Sequence, residues 1–297
     1  MRTFHTLSLL RLILWQRRNI AILASLTTLV VIAEQLTGSV AGRLPDVPIA
    51  VLGSAIGIFV SFRTNSAYDR WWEARKLWGQ LVNTSRHFCA EVVSYLGQHP
   101  ACASLVLRQA LYAHVLRCEL SDESLQEDHD VQRTEAEAHE DLARMSTGAA
   151  TALLRKQLSE LASLARDGEI DGLQLSSLDR SLAILLDVQG GCERIRNTPL
   201  PPGYGYIAEM QIRAYALILP LAIADDLHWL ALPVSLYVCL ALKLISEVGR
   251  VLEDPFTHSW EALPLLSLCR VIERDLREAL GLGAPSIPEA KPNAIVR

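Results

Sequence analysis

The sequence predicts an all-α membrane protein with four transmembrane helices and a large helical cytosolic region. Three observations predict it. Half of the 297 residues are hydrophobic and 21% are charged, with a mean hydropathy of +0.21, more apolar than a soluble domain of this size usually is. The surplus is concentrated in four stretches without formal charge, Asn19–Ala33, Val47–Phe62, Ala214–Ala224 and Leu227–Leu242, the last containing His228. Their flanks are ordered. Arg17 and Arg18 precede the first, Arg63, Arg70, Arg75 and Lys76 follow the second, Arg213 precedes the third, and Lys243 and Arg250 follow the fourth. Glu34, Arg43, Asp46 and the pair Asp225–Asp226 mark the opposite ends. This positive-inside asymmetry puts both termini and the long middle segment in the cytoplasm. Each stretch is shorter than the roughly 20 residues of a straight span, a shortfall that tilt, snorkelling arginines and burial within an oligomer make up.

The elements follow in order. Residues 1–62 hold an N-terminal basic amphipathic segment, "MRTFHTLSLLRLILWQRRN", and the first two spans. Arg11 interrupts its apolar run and no small-residue cleavage site follows, so the segment reads as retained. It suits either a helix lying on the membrane surface or one packed on the cytosolic part. Residues 63–212 form a cytosolic helical region. Tyr68, Trp71, Trp72, Arg75, Trp78 and Val82 share one stripe of helical period, and Leu153, Leu154, Leu158, Leu161 and Leu164 another. Proline and glycine break the pattern at "LGQHPAC", "RDGEIDG" and "TPLPPGYGY". Residues 213–242 are the third and fourth spans, 243–280 are C-terminal cytosolic helices, and 281–297 have the composition of a disordered tail.

A formal net charge of −5 excludes the concentrated basic footprint that nucleic acid requires. Catalytic motifs are absent: there is no GxSxG, HExxH or P-loop, and "GYGYIAE" at Gly203 lacks the third glycine of a dinucleotide fingerprint. The chain therefore reads as a non-enzyme without a cofactor. Six cysteines with no CxxC pair read as reduced thiols. His99 with Cys102 and His114 with Cys118 have helical spacing, yet no second pair stands at a zinc-motif distance, so no metal is expected, and a membrane-anchored helical enzyme or metal sensor using these residues is the alternative from a different class. Ten acids and one arginine, Arg133, occupy Glu119–Asp141. They form either a solvated face or an acidic vestibule that concentrates cations.

The second span is the most informative. Gly53 and Gly57 make a GxxxG, and Ser61 extends the same face, which lets neighbouring helices approach closely. Ser54, Ile58 and Phe62 form a second stripe at four-residue spacing. If several copies of this helix surround an axis, that stripe lines an apolar constriction that gates by dewetting. Otherwise both stripes are packing or lipid-facing surface.

Three blocks, "FRTNSAYDRWWEARKLWG", "CERIRNTPLPPGYGY" and "EDPFTHSWEALPL", in this order and spacing, resemble the bestrophins, specifically their prokaryotic branch. The resemblance extends from Ile20 to about Leu280. It implies a homopentameric ion channel in the bacterial inner membrane, with four membrane helices per subunit and a pore along the five-fold axis. It places Ser54, Ile58 and Phe62 in a hydrophobic neck, packed through Gly53, Gly57 and Ser61, and Ile170 at a cytosolic aperture. Ile58 and Phe62 keep the bulk the family uses there, and Ser54 does not. The resemblance further implies sodium-passing cation selectivity, which the acidic segment favours mildly, with a chloride or anion channel of the same architecture as the alternative. Animal members bind calcium through an acidic run after a Pro-Phe pair. Here Pro255-Phe256 leads into Thr257, His258, Ser259 and Trp260 before Glu261, too few carboxylates for calcium gating.

Overall fold

A computed structural model describes residues 17–37, 46–142, 148–257 and 262–283. The N-terminal amphipathic segment before Arg17, His258 to Glu261, and the tail beyond Gly283 lie outside the described residues. Among the described residues there are nine α-helices and no strand. They are α1 (Arg17–Thr37), α2 (Asp46–Leu96), α3 (Pro100–Ser121), α4 (His129–Glu137), α5 (Ala149–Arg166), α6 (Gly172–Asn197), α7 (Pro202–Leu227), α8 (Ala231–Leu252) and α9 (Leu265–Ala279). A short 3-10 turn, His228–Leu230, joins α7 to α8.

Helix boundaries follow local chemistry. Pro100 and Pro202 stand in first turns, where the missing N–H is of no consequence. Asp128 caps α4, accepting from the Val131 N–H at 2.9 Å. Asp171 and Gln174 form a reciprocal capping box that fixes the start of α6. Pro220 lies inside α7, where it withholds a hydrogen bond from the carbonyl four residues back, an interruption that apolar spans tolerate.

The chain divides into two compact units. One comprises the residues up to Trp71 with Pro199–Asp254, and the other Trp72–Thr198 with the residues from Pro255 onward. In the first, α1 packs on α7 and α8, which pack on each other. Its core joins Ile49, Ile56 and Val60 of α2 to Ala208, Ile212, Tyr215, Ala216 and Leu219 of α7 and Cys239 of α8. Gly249 lets α8 approach α2 closely, since a Cβ there would lie 2.8 Å from the Thr64 hydroxyl. Three of the helices contain stretches long and apolar enough to cross a membrane, bounded as Pro48–Leu96, Pro202–Ala224 and His228–Leu252, and a shorter apolar stretch spans Ile20–Leu36.

In the second unit α3 is the central helix, buried from Cys102 to Leu120 on nearly every face and packed against α4, α5, α6 and α9. Leu153, Leu154, Leu161 and Leu164 bury the expected stripe of α5, while Leu158 stays 39% exposed. The aromatic stripe of α2 splits. Trp78 is fully buried with Ala74 and Leu81, whereas Tyr68 and Trp72 are about half exposed. A step of about 100° per residue puts 68 and 72 a third of a turn away from the face carrying 67, 74 and 78.

The second unit also holds a buried carboxylate whose titration has a stability consequence. Glu273 of α9 is fully buried, 3.1 Å from His114 Nε2, and accepts from Arg133 at 2.8 Å. Burial, the largest influence, pushes its pKa up, but the hydrogen bonds from His114 and Arg133 outweigh it and hold the carboxyl at about 2, below the ordinary 4.5. A depressed carboxylate stabilises the fold above its unfolded value, and that contribution is lost as pH falls from about 4.5 toward 2. It is on the order of 3 kcal/mol. Acid titration of the detergent-solubilised protein should show a thermal midpoint that drops across this window, with Glu273→Gln already lowered at neutral pH and flatter in acid.

Candidate pore-lining helix and its surroundings

Ser54, Ile58 and Phe62 share one outward face of α2. Ile58 is 58% and Phe62 67% exposed, whereas Ile56 and Val60, on the opposite face, are 1% exposed within the core of the first unit. Ser54 is also exposed, and its hydroxyl donates to the Ala50 carbonyl at 3.0 Å. Ser66 does the same to Phe62 at 3.0 Å, so these small polar side chains satisfy themselves on their own helix. Below Phe62 the face continues through Asn65, Asp69, Trp72 and Lys76, all exposed.

The glycine stripe meets different surroundings at each position. A Cβ on Gly53 would lie 2.4 Å from the Tyr215 hydroxyl, so this glycine seats α7 of the same chain. Gly57 has open space where a Cβ would go, and Ser61 is exposed. The sequence expectation for Ile170 needs correction. It is 3% exposed, buried within the second unit, whereas a side chain narrowing an aperture must be accessible in the single chain. Leu173, three residues on in the first turn of α6, is 84% exposed.

The charges that begin at Arg63 are compensated by the end of α8. Arg63 is 5% exposed, donates to Glu253 Oε1 at 2.9 and 2.6 Å, and reaches the Ser246 hydroxyl at 3.2 Å. Arg70 Nε donates to the Glu253 carbonyl at 2.7 Å. Lys243 lies 2.6 Å from both carboxylate oxygens of Glu209 and 3.5 Å from Glu247. Sequence reading missed this network because its partners are up to 190 positions apart. The one available signal was Glu253, an acid just past a basic span end.

Much of the acidic segment is paired within the second unit, although the Asp122 side chain keeps 82% exposure. Arg117 bridges Glu123 and Asp128, Arg270 grips Asp130 at 2.8 and 3.0 Å, and Arg196 pairs with Asp122. Arg277 holds Glu137, while Arg108 and Lys156 share Glu140. Most of the negative charge is thereby neutralised within the second unit.

The metal question resolves along the same lines. His114 Nε2 lies 3.1 Å from a Glu273 carboxylate oxygen. Among the described residues, Cys118, Glu123 and Asp128 bring ligand atoms within 4.8 Å of one another, but the Arg117 guanidinium already supplies a cation there, 3.2 Å from the Cys118 sulfur and 2.5 Å from Asp128. Burial pushes the Cys118 thiol up to about 12, against the pull of Arg117, so it is a poor thiolate ligand. The residues do not fit a metal. All six cysteines are free and buried.

Long apolar helices, an outward stripe of bulky apolar side chains on one of them, and ion pairs at the span ends are features of a helical membrane protein. The chain belongs to the bestrophin family: the family model described as "Bacterial/Fungal Bestrophin protein" matches residues 5–278. It is 32% identical over 244 residues to a voltage-dependent anion channel-forming protein of Mesorhizobium japonicum, covering 82% of this chain and 78% of that one. It is 34% identical over 235 residues to the voltage-dependent anion channel-forming protein YneE of Escherichia coli, covering 77% and 75%. A crystal structure of a bacterial bestrophin homologue from Klebsiella pneumoniae is similar at a TM-score of 0.82 and 26% identity, over 89% of this chain and 98% of that one. The protein is thus a bestrophin-type ion channel and not an enzyme.

Proposed function

We propose that the chain assembles as a homopentamer in the bacterial inner membrane, crosses it four times with both termini cytoplasmic, and passes small monovalent ions along the five-fold axis. Ser54, Ile58 and Phe62 form the neck. The observation that carries this reading is the exposure of Ile58 and Phe62 on a stripe that α7 and α8 leave uncovered. Lipid alone would accept that stripe as far as Phe62. Its continuation into Asn65, Asp69 and Lys76 suits a water-filled axis better. Gly57 and Ser61, uncovered within the chain, are the positions where sister helices approach. For the cytosolic aperture, Leu173 replaces Ile170. Calcium gating is not part of the reading, since the residues after Phe256 offer a single carboxylate before Ala262.

The ion preference we adopt is anionic. The relatives from Mesorhizobium japonicum and Escherichia coli carry anion channel-forming names, and the acids on which a cation preference rested are largely tied to arginines. Sodium passage is the second reading, favoured by Asp69, the first ionisable side chain below Phe62 on the exposed stripe. Reconstitution in a planar bilayer under a sodium chloride gradient separates the two. A reversal potential near the chloride equilibrium value is the expected result. A value near the sodium equilibrium overturns it in favour of sodium, and Asp69→Asn should then move the potential toward zero. Absence of any flux from well-folded protein would remove the channel reading itself.

A further inference from the structure

A polar cavity of about 380 Å³ opens at the foot of the first unit's helices, lined by Arg63, Glu209, Arg213, Ser246, Glu247 and Arg250. Its level is set by the sequence: the uncharged run of α2 ends at Phe62, that of α7 begins after Arg213, and that of α8 ends before Lys243. Each of these helices therefore leaves the hydrocarbon next to the cavity, at headgroup depth. Two wall residues keep the cavity open and amphipathic. A Cβ on Gly205 would lie 3.2 Å from Arg63 Nη2, so the absence of a side chain there preserves space. Tyr206, 68% exposed, presents a ring and a hydroxyl of the kind that settles at a membrane interface.

The charges are unevenly distributed. Arg63 is occupied by Glu253 and Ser246, and Lys243 by Glu209 and Glu247. Of the side chains lining the cavity, Arg63, Arg213 and Arg250 are basic and Glu209 and Glu247 acidic. Arg213 and Arg250 are 55% and 53% exposed, each 3.2 Å from a carboxylate neighbour. Guanidinium forks match the oxygens of a phosphate, and basic pockets between membrane helices at this depth bind anionic headgroups.

We propose that this cavity binds the phosphodiester monoanion of a membrane phospholipid, with Arg213 and Arg250 as its ligands. The proposal rests on the membrane crossings proposed above and not on the pore or its ion preference. The same chemistry also describes free phosphate, so the test must separate the two sources. The full-length protein in detergent is titrated with short-chain phosphatidylglycerol, with inorganic phosphate as competitor, and compared with Arg213→Gln/Arg250→Gln. The double variant should bind the lipid about tenfold more weakly or worse, with an unchanged thermal midpoint, and millimolar phosphate should not compete. If the double variant is destabilised, Arg213→Lys, which keeps the charge but loses the fork, serves instead and should weaken binding by a smaller factor. Equal lipid affinity in the unmodified protein and in a folded variant overturns the site, and full displacement by phosphate overturns the lipid as its occupant. Either failure leaves the bilayer reversal potential, and so the channel reading, untouched.

Discussion

Replacing Phe62 with alanine should raise the single-channel current severalfold, and Ile58→Ala should do so to a lesser degree. Both side chains present more than half their surface outward from α2. In the proposed pentamer they would form two successive apolar rings, where water is held weakly and an ion must shed hydration to pass. Truncating Phe62 removes most of the bulk at its level. If that lowers the barrier by about 1.4 kcal/mol, the current rises about tenfold. Ile58 is smaller, and the ring left at Phe62 would still restrict flow. Ser54→Ala should change little, because its hydroxyl is already engaged by Ala50. Single-channel recording in planar bilayers checks all three, and unchanged current in both Phe62→Ala and Ile58→Ala would remove the neck assignment.

Loss of the Arg63 side chain should be the most damaging single change to stability in the first unit. Its guanidinium makes two contacts with Glu253 and one with Ser246 while only 5% exposed. Arg63→Ala strips the carboxylate of its partner, a loss that costs about 3–5 kcal/mol in buried pairs. The lower end applies here, since Glu253 retains 27% exposure. Thermal unfolding in detergent should report a clear drop, and replacing both partners with apolar side chains should be less harmful than Arg63→Ala alone. A single variant that melts like the unmodified protein would show that the pair contributes nothing.

Much of the architecture was legible because apolar runs and their charged flanks are local signals. Val47–Phe62 falls within α2, Ala231–Leu242 falls within α8 after the 3-10 turn at His228–Leu230, and four-residue spacing puts Ser54, Ile58 and Phe62 on one face of α2, though not which way that face points. What sequence reading lost depended on partners distant in the chain. The acidic segment looked unbalanced because it contains only Arg133, while Arg108, Arg117, Arg196, Arg270 and Arg277 arrive from three other helices. Likewise, nothing local announces that Glu253 answers Arg63. Ile170 and Leu173 differ in a subtler way. The capping pair Asp171–Gln174 marks where α6 begins and was readable, but which of the two apolar residues packs inward depends on tertiary contacts that no local signal shows.

The burial of all six cysteines has a practical consequence for probing this molecule. Burial pushes the Cys118 and Cys192 thiols up to about 12, so neither offers an appreciable thiolate at neutral pH. The unmodified chain is therefore close to a silent background for thiol-specific reagents. A lone cysteine introduced at position 58, 62 or 173 would report its own accessibility to a maleimide from either side of a sealed vesicle, with the native thiols left in place.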